Sequence, residues 1–276
     1  MKQVALPGGE GVPALGQGTW MMGEKPPHRG DEIATLRAGI ELGMTLIDTA
    51  EMYGDGASEE LIGEAIEGRR DDVFLVTKAY PHNASRSRLP HACEASLRRL
   101  GTDRIDLYLL HWRGSVPLAE TIQAMEALRA AGKICRWGVS NLGYDDMAEL
   151  VTAGGSSCAA NQILYNLTRR GPEFDLLPYL QAHDIPLMAY SPVEQGRLLR
   201  HTALASVAQV CDATPAQIAL AWAIQREGVI AIPKASSVAH VRDNRAAADI
   251  ALSEETLATL DRVFPPPKRA RALEML

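Results

Sequence analysis

Four ionisable residues near the ends of three apolar segments have the types and spacing needed for acid–base chemistry. Asp48, Lys78 and His111 each follow a run of apolar residues, and Tyr53 comes five positions after Asp48. The Lys78 ammonium follows VFLVT, where it would be desolvated unless a carboxylate balanced its charge, and Asp48 is the obvious partner. Alone, this pair is also compatible with a structural ion pair, and His111 alone with a buried core histidine.

Tyr53 extends the pair into a potential proton donor. A free phenol has a pKa of about 10 and is a poor acid at neutral pH. An ammonium about 4 Å away, at an effective dielectric constant near 20, favours the phenolate by about 4 kcal/mol, or about three pKa units before Asp48 offsets part of the effect. We therefore expect Lys78 to lower the pKa of Tyr53 and make it a competent general acid, with His111 as a hydrogen-bonding group nearby.

Buried parallel strands would bring these residues together. Seven apolar segments end on polar side chains, and a helix-like stretch follows almost every one; the segments end at positions 48, 78, 111, 140, 162, 190 and 234. The segment ALGQGTW (14–20) supplies an eighth strand. Because a parallel barrel places its active site at the carboxyl ends of its strands, this pattern predicts an α/β protein with a (β/α)8 TIM-barrel fold.

Additional elements are expected at both ends of the barrel. KQVAL and GVPAL flank the turn signal PGGE, which predicts an N-terminal hairpin over the barrel floor. Extra C-terminal helices are predicted at 238–249 and 254–263, and Ser58 is expected to cap a helix that begins with Glu59 and Glu60. No linker or composition break divides the chain, so we predict one domain over 1–276. A flavodoxin-like doubly wound sheet is the alternative, which seven or eight βα units disfavour.

Composition and net charge limit the classes of molecule that the protein is expected to bind. The chain has 276 residues, 46% hydrophobic and 22% charged, with a net charge of −6, which argues against nucleic acid or an anionic membrane as a partner. Its first residues lack an apolar signal-peptide region, and the four cysteines form no CxxC pair. We expect a cytoplasmic monomer or weak oligomer with reduced thiols. The seven histidines show no metal-binding spacing, so no metal is expected.

Six segments in chain order resemble the aldo-keto reductase family, and within it the bacterial branch of methylglyoxal-reductase-type enzymes. They are LIDTAEMYG (46–54), FLVTK (74–78), IDLYLLHW (105–112), GVSNL (138–142), AYSP (189–192) and IPKA (232–235). The resemblance implies a (β/α)8 barrel that reduces aldehydes and ketones with a nicotinamide cofactor and without a metal. The chain also lacks the G-x-G-x-x-G motif of dinucleotide-binding Rossmann folds.

The resemblance also implies roles for the four ionisable residues. Tyr53 protonates the carbonyl oxygen of the substrate as hydride arrives from the nicotinamide. Lys78 lowers the pKa of Tyr53, Asp48 holds Lys78, and His111 orients the carbonyl group.

The remaining strand ends are interpreted as a cofactor cleft. A carboxamide could be held by Ser140, Asn141 and Gln162, next to a nicotinamide stacked on Tyr190 beside Ser191. A 2′-phosphate pocket at a helix N-terminus is predicted from Lys234, Ser236, Ser237 and His240, with Asn244 near the adenine. Many family members carry arginine where this chain has His240, and neutral imidazole is a weaker phosphate partner. NADPH is therefore the predicted cofactor, with NADH as the alternative.

The substrate pocket is predicted to have aromatic walls formed by Trp20, Tyr80 and Trp112. Only Trp112–Pro117 separate His111 from the next helix, and the tail after Phe264 is short, so we expect a shallow, open pocket for small aldehydes such as methylglyoxal and similar α-oxoaldehydes. Two other functions remain open: a Schiff-base aldolase that uses Lys78, and a non-catalytic nicotinamide-binding regulatory subunit.

Overall fold

The computed structural model describes all 276 residues, Met1–Leu276. The strands are β1 (Gln3–Ala5), β2 (Gly11–Pro13), β3 (Gln17–Gly18), β4 (Leu46–Asp48), β5 (Phe74–Ala79), β6 (Ile105–Leu110), β7 (Ile134–Ser140), β8 (Asn161–Leu164), β9 (Leu187–Tyr190) and β10 (Val229–Ala231). The α-helices are α1 (Arg29–Glu41), α2 (Ala57–Ala65), α3 (Leu89–Leu100), α4 (Leu118–Ala130), α5 (Tyr144–Thr152), α6 (Leu176–Ala182), α7 (Thr202–Val210), α8 (Pro215–Gln225), α9 (Val238–Ala246) and α10 (Glu254–Val263). None of these helices has the length and apolar character needed to cross a bilayer.

Strands β3 to β10 form a parallel sheet that closes on itself. Neighbouring strands pair in chain order. The first and last strands meet through parallel bridges from Leu15 to Ala231 and from Gly18 to Lys234. Two backbone hydrogen bonds complete this seam, from Gly16 N to Ala231 O (2.9 Å) and from Gly18 N to Pro233 O (3.0 Å). The predicted (β/α)8 barrel is confirmed, because an open doubly wound sheet would leave these edges unpaired.

The barrel strands are apolar along most of their length because both of their faces are covered. All six residues of β5 are buried, and so are all but one residue of β6. The buried hydrophobic residues of strands and helices form a continuous core cluster. Core packing therefore does not account for a polar side chain at the end of a strand.

The predicted hairpin covers the floor of the barrel. Strands β1 and β2 pair antiparallel across a turn that contains Gly8 and Gly9, both with positive φ angles (97° and 88°). The Lys2 ammonium donates to the carbonyl oxygens of Ile224 (2.9 Å) and Arg226 (2.8 Å) at the carboxyl end of α8. Since barrel helices run antiparallel to the strands, this contact lies at the face opposite the strands' carboxyl ends.

The extra C-terminal helices are also confirmed. Helix α9 continues into a short 3-10 turn at Ala247–Asp249, and α10 spans the predicted range. The Ser58 prediction is wrong, because Gly56, with a φ angle of 95°, begins α2 earlier. Ser58 lies inside the first turn, where its hydroxyl is buried and donates to the Thr19 hydroxyl at 2.8 Å.

The positions of two predicted strand ends need correction. Gln162 lies at the beginning of β8 instead of its end, but it pairs with Ser140, the last residue of β7. The stagger of barrel strands thus brings the first residues of β8 to the level of the rim. Lys234 lies beyond the end of β10, beside Gly18.

Candidate active site

A cavity of about 880 Å³ opens at the carboxyl ends of the barrel strands. It is lined by all but three of the predicted site residues: Trp20, Asp48, Tyr53, His111, Trp112, Ser140, Asn141, Gln162, Tyr190, Ser191, Lys234, Ser236, His240 and Asn244. Of the three exceptions, Lys78 is fully buried behind the cavity wall. Tyr80 packs edge-on against Trp112, with ring centroids 5.9 Å apart, and Ser237 caps α9.

A sharp turn directly after Tyr53 positions this residue over the barrel mouth. The three residues after it, Gly54, Asp55 and Gly56, all have positive φ angles of 57°, 51° and 95°. The preceding loop is fastened to its neighbour by Glu51, whose carboxylate accepts hydrogen bonds from Tyr80 N (2.6 Å) and Asn83 Nδ2 (3.0 Å). The loop geometry therefore fixes the phenol above the end of β4.

The Lys78 ammonium is the centre of the site. Its Nζ lies 2.8 Å from Asp48 Oδ1, and it donates to Thr49 O at 2.7 Å and to Tyr53 Oη at 3.2 Å. Asp48 Oδ1 also accepts a hydrogen bond from Gln162 Nε2 at 2.7 Å. An ammonium carries three N–H groups, so each has one of these partners and the side chain is held in a single orientation.

This arrangement leaves the hydroxyl hydrogen of Tyr53 free. Because Lys78 donates to the Tyr53 oxygen, the phenol cannot donate its own hydrogen to the ammonium in return. No other protein atom accepts a hydrogen bond from Tyr53 Oη, and the residue lines the cavity. The phenol can therefore donate to a group that enters the cavity.

The predicted lowering of the pKa of Tyr53 is wrong, because it omitted the burial of the phenol itself. Burial raises the pKa of Tyr53 above its ordinary value, and the attraction of Lys78 only partly opposes this. Burial also disfavours the charged form of Lys78, but Asp48 and Tyr53 outweigh it and raise the pKa of the ammonium. At neutral pH the site thus holds a protonated phenol beside a cation, which is the protonation state that a general acid requires.

His111 is a neutral imidazole at the same rim. Its ring lies edge-on to that of Tyr53, with centroids 6.0 Å apart. Burial, reinforced by repulsion from Lys78, lowers the pKa of His111 to about 3. Nδ1 is buried without a hydrogen-bond partner, so Nε2 is the ring nitrogen that faces the cavity.

The neutral state of His111 predicts a pH dependence of stability. Because the folded pKa is about 3, below the unfolded value near 6.5, protonation favours the unfolded chain as the pH falls through this window. Between pH 6.5 and 5 the cost is about 2 kcal/mol. Urea unfolding at pH 7 and pH 5 should show wild type losing about that much more stability than His111→Gln. Equal losses in the two proteins would contradict the buried neutral imidazole.

At the inner end of the cavity, the residues predicted to hold a carboxamide are bonded to one another. Ser140 Oγ donates to Gln162 O at 2.9 Å, Asn141 Nδ2 lies 3.1 Å from Ser140 Oγ, and Tyr190 Oη donates to Asn141 Oδ1 at 3.0 Å. This network presents the half-buried Tyr190 ring at the cavity wall. Gln162 lines the cavity and its Nε2 also supports Asp48, a second role that the sequence did not suggest.

The outer end of the cavity carries donors suited to phosphate. Lys234 forms no ion pair, and its exposed ammonium lines the cavity at the start of α9. Ser236 Oγ lies 2.9 Å from His240 Nδ1, and both residues line the same wall. Ser237 Oγ accepts from His240 N at 3.3 Å, so its hydroxyl caps the helix. An unpaired cation beside free helix N–H groups fits a phosphate monoester.

Three further walls of the cavity are formed by segments that the sequence motifs did not indicate. One is the N-terminus of α8 at Thr214–Ala216, which the capping box of Thr214 and Gln217 could have placed at the barrel rim. Another is the loop after β9, where Gln195 lies. The third is the C-terminal tail, whose Met275 and Leu276 reach the cavity. The end of the tail therefore forms part of the cavity wall, which the short segment after Phe264 did not suggest.

Comparison with known proteins identifies the protein family of this chain. The family model described as "Aldo/keto reductase family" matches residues 14–264. The chain is 53% identical over 281 residues to methylglyoxal reductase YeaE of Escherichia coli strain K12, covering 100% of this chain and 99% of that protein.

Solved structures agree with this match. An aldo/keto reductase from Klebsiella pneumoniae, crystallised with NADP and acetate, superimposes with a TM-score of 0.98 at 54% identity. A structure of an aldo-keto reductase from the same species with NADPH gives a TM-score of 0.97, also at 54% identity. In both cases 100% of this chain and 99% of the other are covered. The family predicted from the sequence motifs is confirmed.

Proposed function

We propose, since the chain belongs to the aldo/keto reductase family, that it reduces small aldehydes and ketones to alcohols with NADPH. Methylglyoxal and similar α-oxoaldehydes are the first candidate substrates, because YeaE is a methylglyoxal reductase. The predicted class, an NADP-dependent oxidoreductase, is confirmed by the family and by the NADP- and NADPH-bound relatives.

The observation that carries this proposal is the free phenol hydrogen of Tyr53 next to a buried ammonium. Tyr53 donates its proton to the carbonyl oxygen of the substrate, and the oxygen it leaves behind is stabilised by Lys78 at 3.2 Å. Asp48 and Thr49 O hold Lys78 in place. His111 Nε2 faces the same space and, as an N–H donor, orients the carbonyl group.

The cavity fits a nicotinamide dinucleotide between these groups and α9. Bound NADPH supplies the hydride that reduces the carbonyl carbon. In our proposal the Tyr190 ring would hold the nicotinamide, and Ser140, Asn141, Gln162 and Ser191 would hold its carboxamide. Lys234, Ser236 and His240 would hold the 2′-phosphate and Asn244 the adenine, while Ser237 would contribute through the helix cap.

Two features argue against a Schiff-base aldolase. A nucleophilic lysine must be a neutral amine with a free lone pair, whereas the pKa of Lys78 is raised and its N–H groups are all engaged. Lys78 is also completely buried and does not line the cavity. A substrate carbonyl therefore reaches Tyr53 before it could reach Lys78.

A spectrophotometric screen of cofactor oxidation tests the proposed function. We expect NADPH to be consumed with methylglyoxal and other short aldehydes, with kcat/KM at least about tenfold higher than with NADH, because NADH lacks the phosphate that Lys234 would bind. Ketones and sugars complete the panel. NADPH binding without turnover of any carbonyl compound would instead support a regulatory subunit.

We further propose a cytoplasmic protein that acts as a monomer or weak oligomer on small molecules. All four cysteines are free, and Cys93 and Cys158 are buried, as expected of thiols kept reduced.

A further inference from the structure

The C-terminal tail, Pro265–Leu276, runs beside Gly143–Asp146 and Gly171 and ends at the barrel mouth. It contains no helix or strand, and Leu273 packs at the edge of the core. Its last residues, Met275 and Leu276, line the cavity near Tyr190. Only one ion pair joins the tail to the rest of the chain, between Glu274 and Arg169.

Arg169 also binds the loop after β9, part of which lines the cavity. Its Nη2 donates to Glu194 Oε1 at 2.8 Å, and its Nε donates to the same oxygen at 3.2 Å. Glu194 belongs to the loop 191–199, which we call the cofactor loop because Ser191, Gln195 and Gly196 line the cavity there. One guanidinium thus touches both the cofactor loop and the tail.

The cofactor loop is held by these contacts in a conformation that it would not adopt freely. Ser191, Glu194 and Gln195 have φ angles of 51°, 50° and 52°. Glu194 is 5% exposed, and its other oxygen accepts from Asn166 Nδ2 at 2.8 Å. Burial alone would raise the pKa of Glu194, but the donors Arg169, Asn166 and Arg197 outweigh it and hold the pKa below its ordinary value.

The turn that carries Arg169 is rigid. Asn166 Oδ1 accepts hydrogen bonds from Thr168 N (2.9 Å) and Thr168 Oγ1 (2.8 Å), and Arg169 N donates to Asn166 O at 2.9 Å. Asn166 also donates to Ser191 O at 2.9 Å. The turn and the cofactor loop are therefore one hydrogen-bonded unit, and any displacement of the loop displaces Arg169.

We propose that Arg169 is a positioning residue that couples the cofactor loop to the tail, so that a dinucleotide bound against the loop also holds the tail over the substrate. Only the identity of the dinucleotide rests on the proposed function. The two contacts differ in strength: Glu194 is buried among several donors, whereas the Glu274 side chain is 49% exposed and has Arg169 alone. The tail is therefore the segment that dissociates from Arg169 and binds it again.

The rate at which carboxypeptidase removes Leu276 and Met275 from the cofactor-free protein measures tail release. We expect Glu274→Gln and Arg169→Met each to speed this removal about threefold to tenfold. Only Arg169→Met should also raise amide hydrogen exchange in the cofactor loop. Glu64→Gln is the matched control, because the Arg29–Glu64 pair has similar exposure (29% and 55%, against 32% and 49%) far from the tail.

Cofactor dependence tests the coupling itself. Added NADPH should slow carboxypeptidase in wild type and protect Arg169→Met less, because only direct contact of the dinucleotide with Met275 and Leu276 then remains. In steady-state kinetics, Glu274→Gln should raise the aldehyde KM about threefold with little change in kcat. Digestion of Glu274→Gln at the wild-type rate, or equal protection of wild type and Arg169→Met by NADPH, would overturn the proposal. Digestion without cofactor is independent of turnover, so a failed reductase assay is distinguishable from failed coupling.

Discussion

Replacing Tyr53 with phenylalanine should lower kcat for aldehyde reduction by about 10²–10⁴-fold, the range attributed to a positioned general acid. The substitution removes only the hydroxyl, whose single protein partner is Lys78 at 3.2 Å. The ring, its edge contact with His111 and the loop that carries it remain. We therefore expect a folded protein that binds the cofactor but transfers no proton to the carbonyl oxygen.

Two measurements separate this outcome from general damage. Quenching of protein fluorescence by NADPH should persist in Tyr53→Phe, because Trp20 and Trp112 still line the cavity. Tyr108→Phe is the control: its hydroxyl is buried in β6 without a partner, so its loss should leave kcat unchanged. If Tyr53→Phe keeps near-wild-type turnover, Tyr53 is not the acid.

The pH profile of the wild-type enzyme should agree with the same assignment. Burial raises the pKa of Tyr53 above its ordinary value of 10, so the phenol keeps its proton throughout the neutral range. We expect kcat to stay level from about pH 6 to pH 9 and to fall only under more alkaline conditions. This profile follows from a buried phenol, whereas a phenol acidified by Lys78 would lose its proton at lower pH.

Those parts of the site that depend on backbone direction could be predicted from sequence. In a parallel barrel, a polar residue after a buried run must lie at the same rim as its counterparts, which is why Asp48, His111, Ser140 and Tyr190 all line the cavity. The helices and the N-terminal hairpin followed from turn glycines and apolar spacing. The position of Tyr53 could be predicted because the loop that carries it is short enough to fold back over the barrel mouth.

The parts that were missed depend on tertiary contacts that spacing does not encode. Gln162 is the second residue of β8, and only the stagger between strands brings its amide to Asp48. The tail contains no periodic pattern, and its contacts are with distant parts of the chain, such as the ion pair of Glu274 with Arg169. The sign of the pKa shift of Tyr53 needed the burial of the phenol, which a sequence does not quantify.

Replacing Lys78 with methionine should be the most destabilising single change in the site. It leaves the Asp48 carboxylate, 2% exposed, without its cation and with Gln162 as its remaining side-chain donor. Breaking a buried ion pair in this way costs about 3–5 kcal/mol of unfolding free energy. Lys133→Met removes an exposed partner of Glu94 and should cost no more than about 1 kcal/mol.

The pH dependence of the stability lost in Lys78→Met identifies the cause of that loss. Burial already raises the folded pKa of Asp48 in wild type, with Lys78 opposing the rise, so loss of the ammonium raises that pKa further above the unfolded value near 3.9. A raised folded pKa favours the folded state at low pH, so the loss of unfolding free energy relative to wild type should shrink as the pH falls from 7 towards 4.

Asp48→Asn added to Lys78→Met removes the orphaned charge and should recover part of the stability at pH 7, as denaturant unfolding would show. Activity should stay low in the double variant, because the cation that stabilises the Tyr53 oxygen is still missing. Equal stability of the single and double variants at pH 7 would mean that the buried charge is not what Lys78 balances.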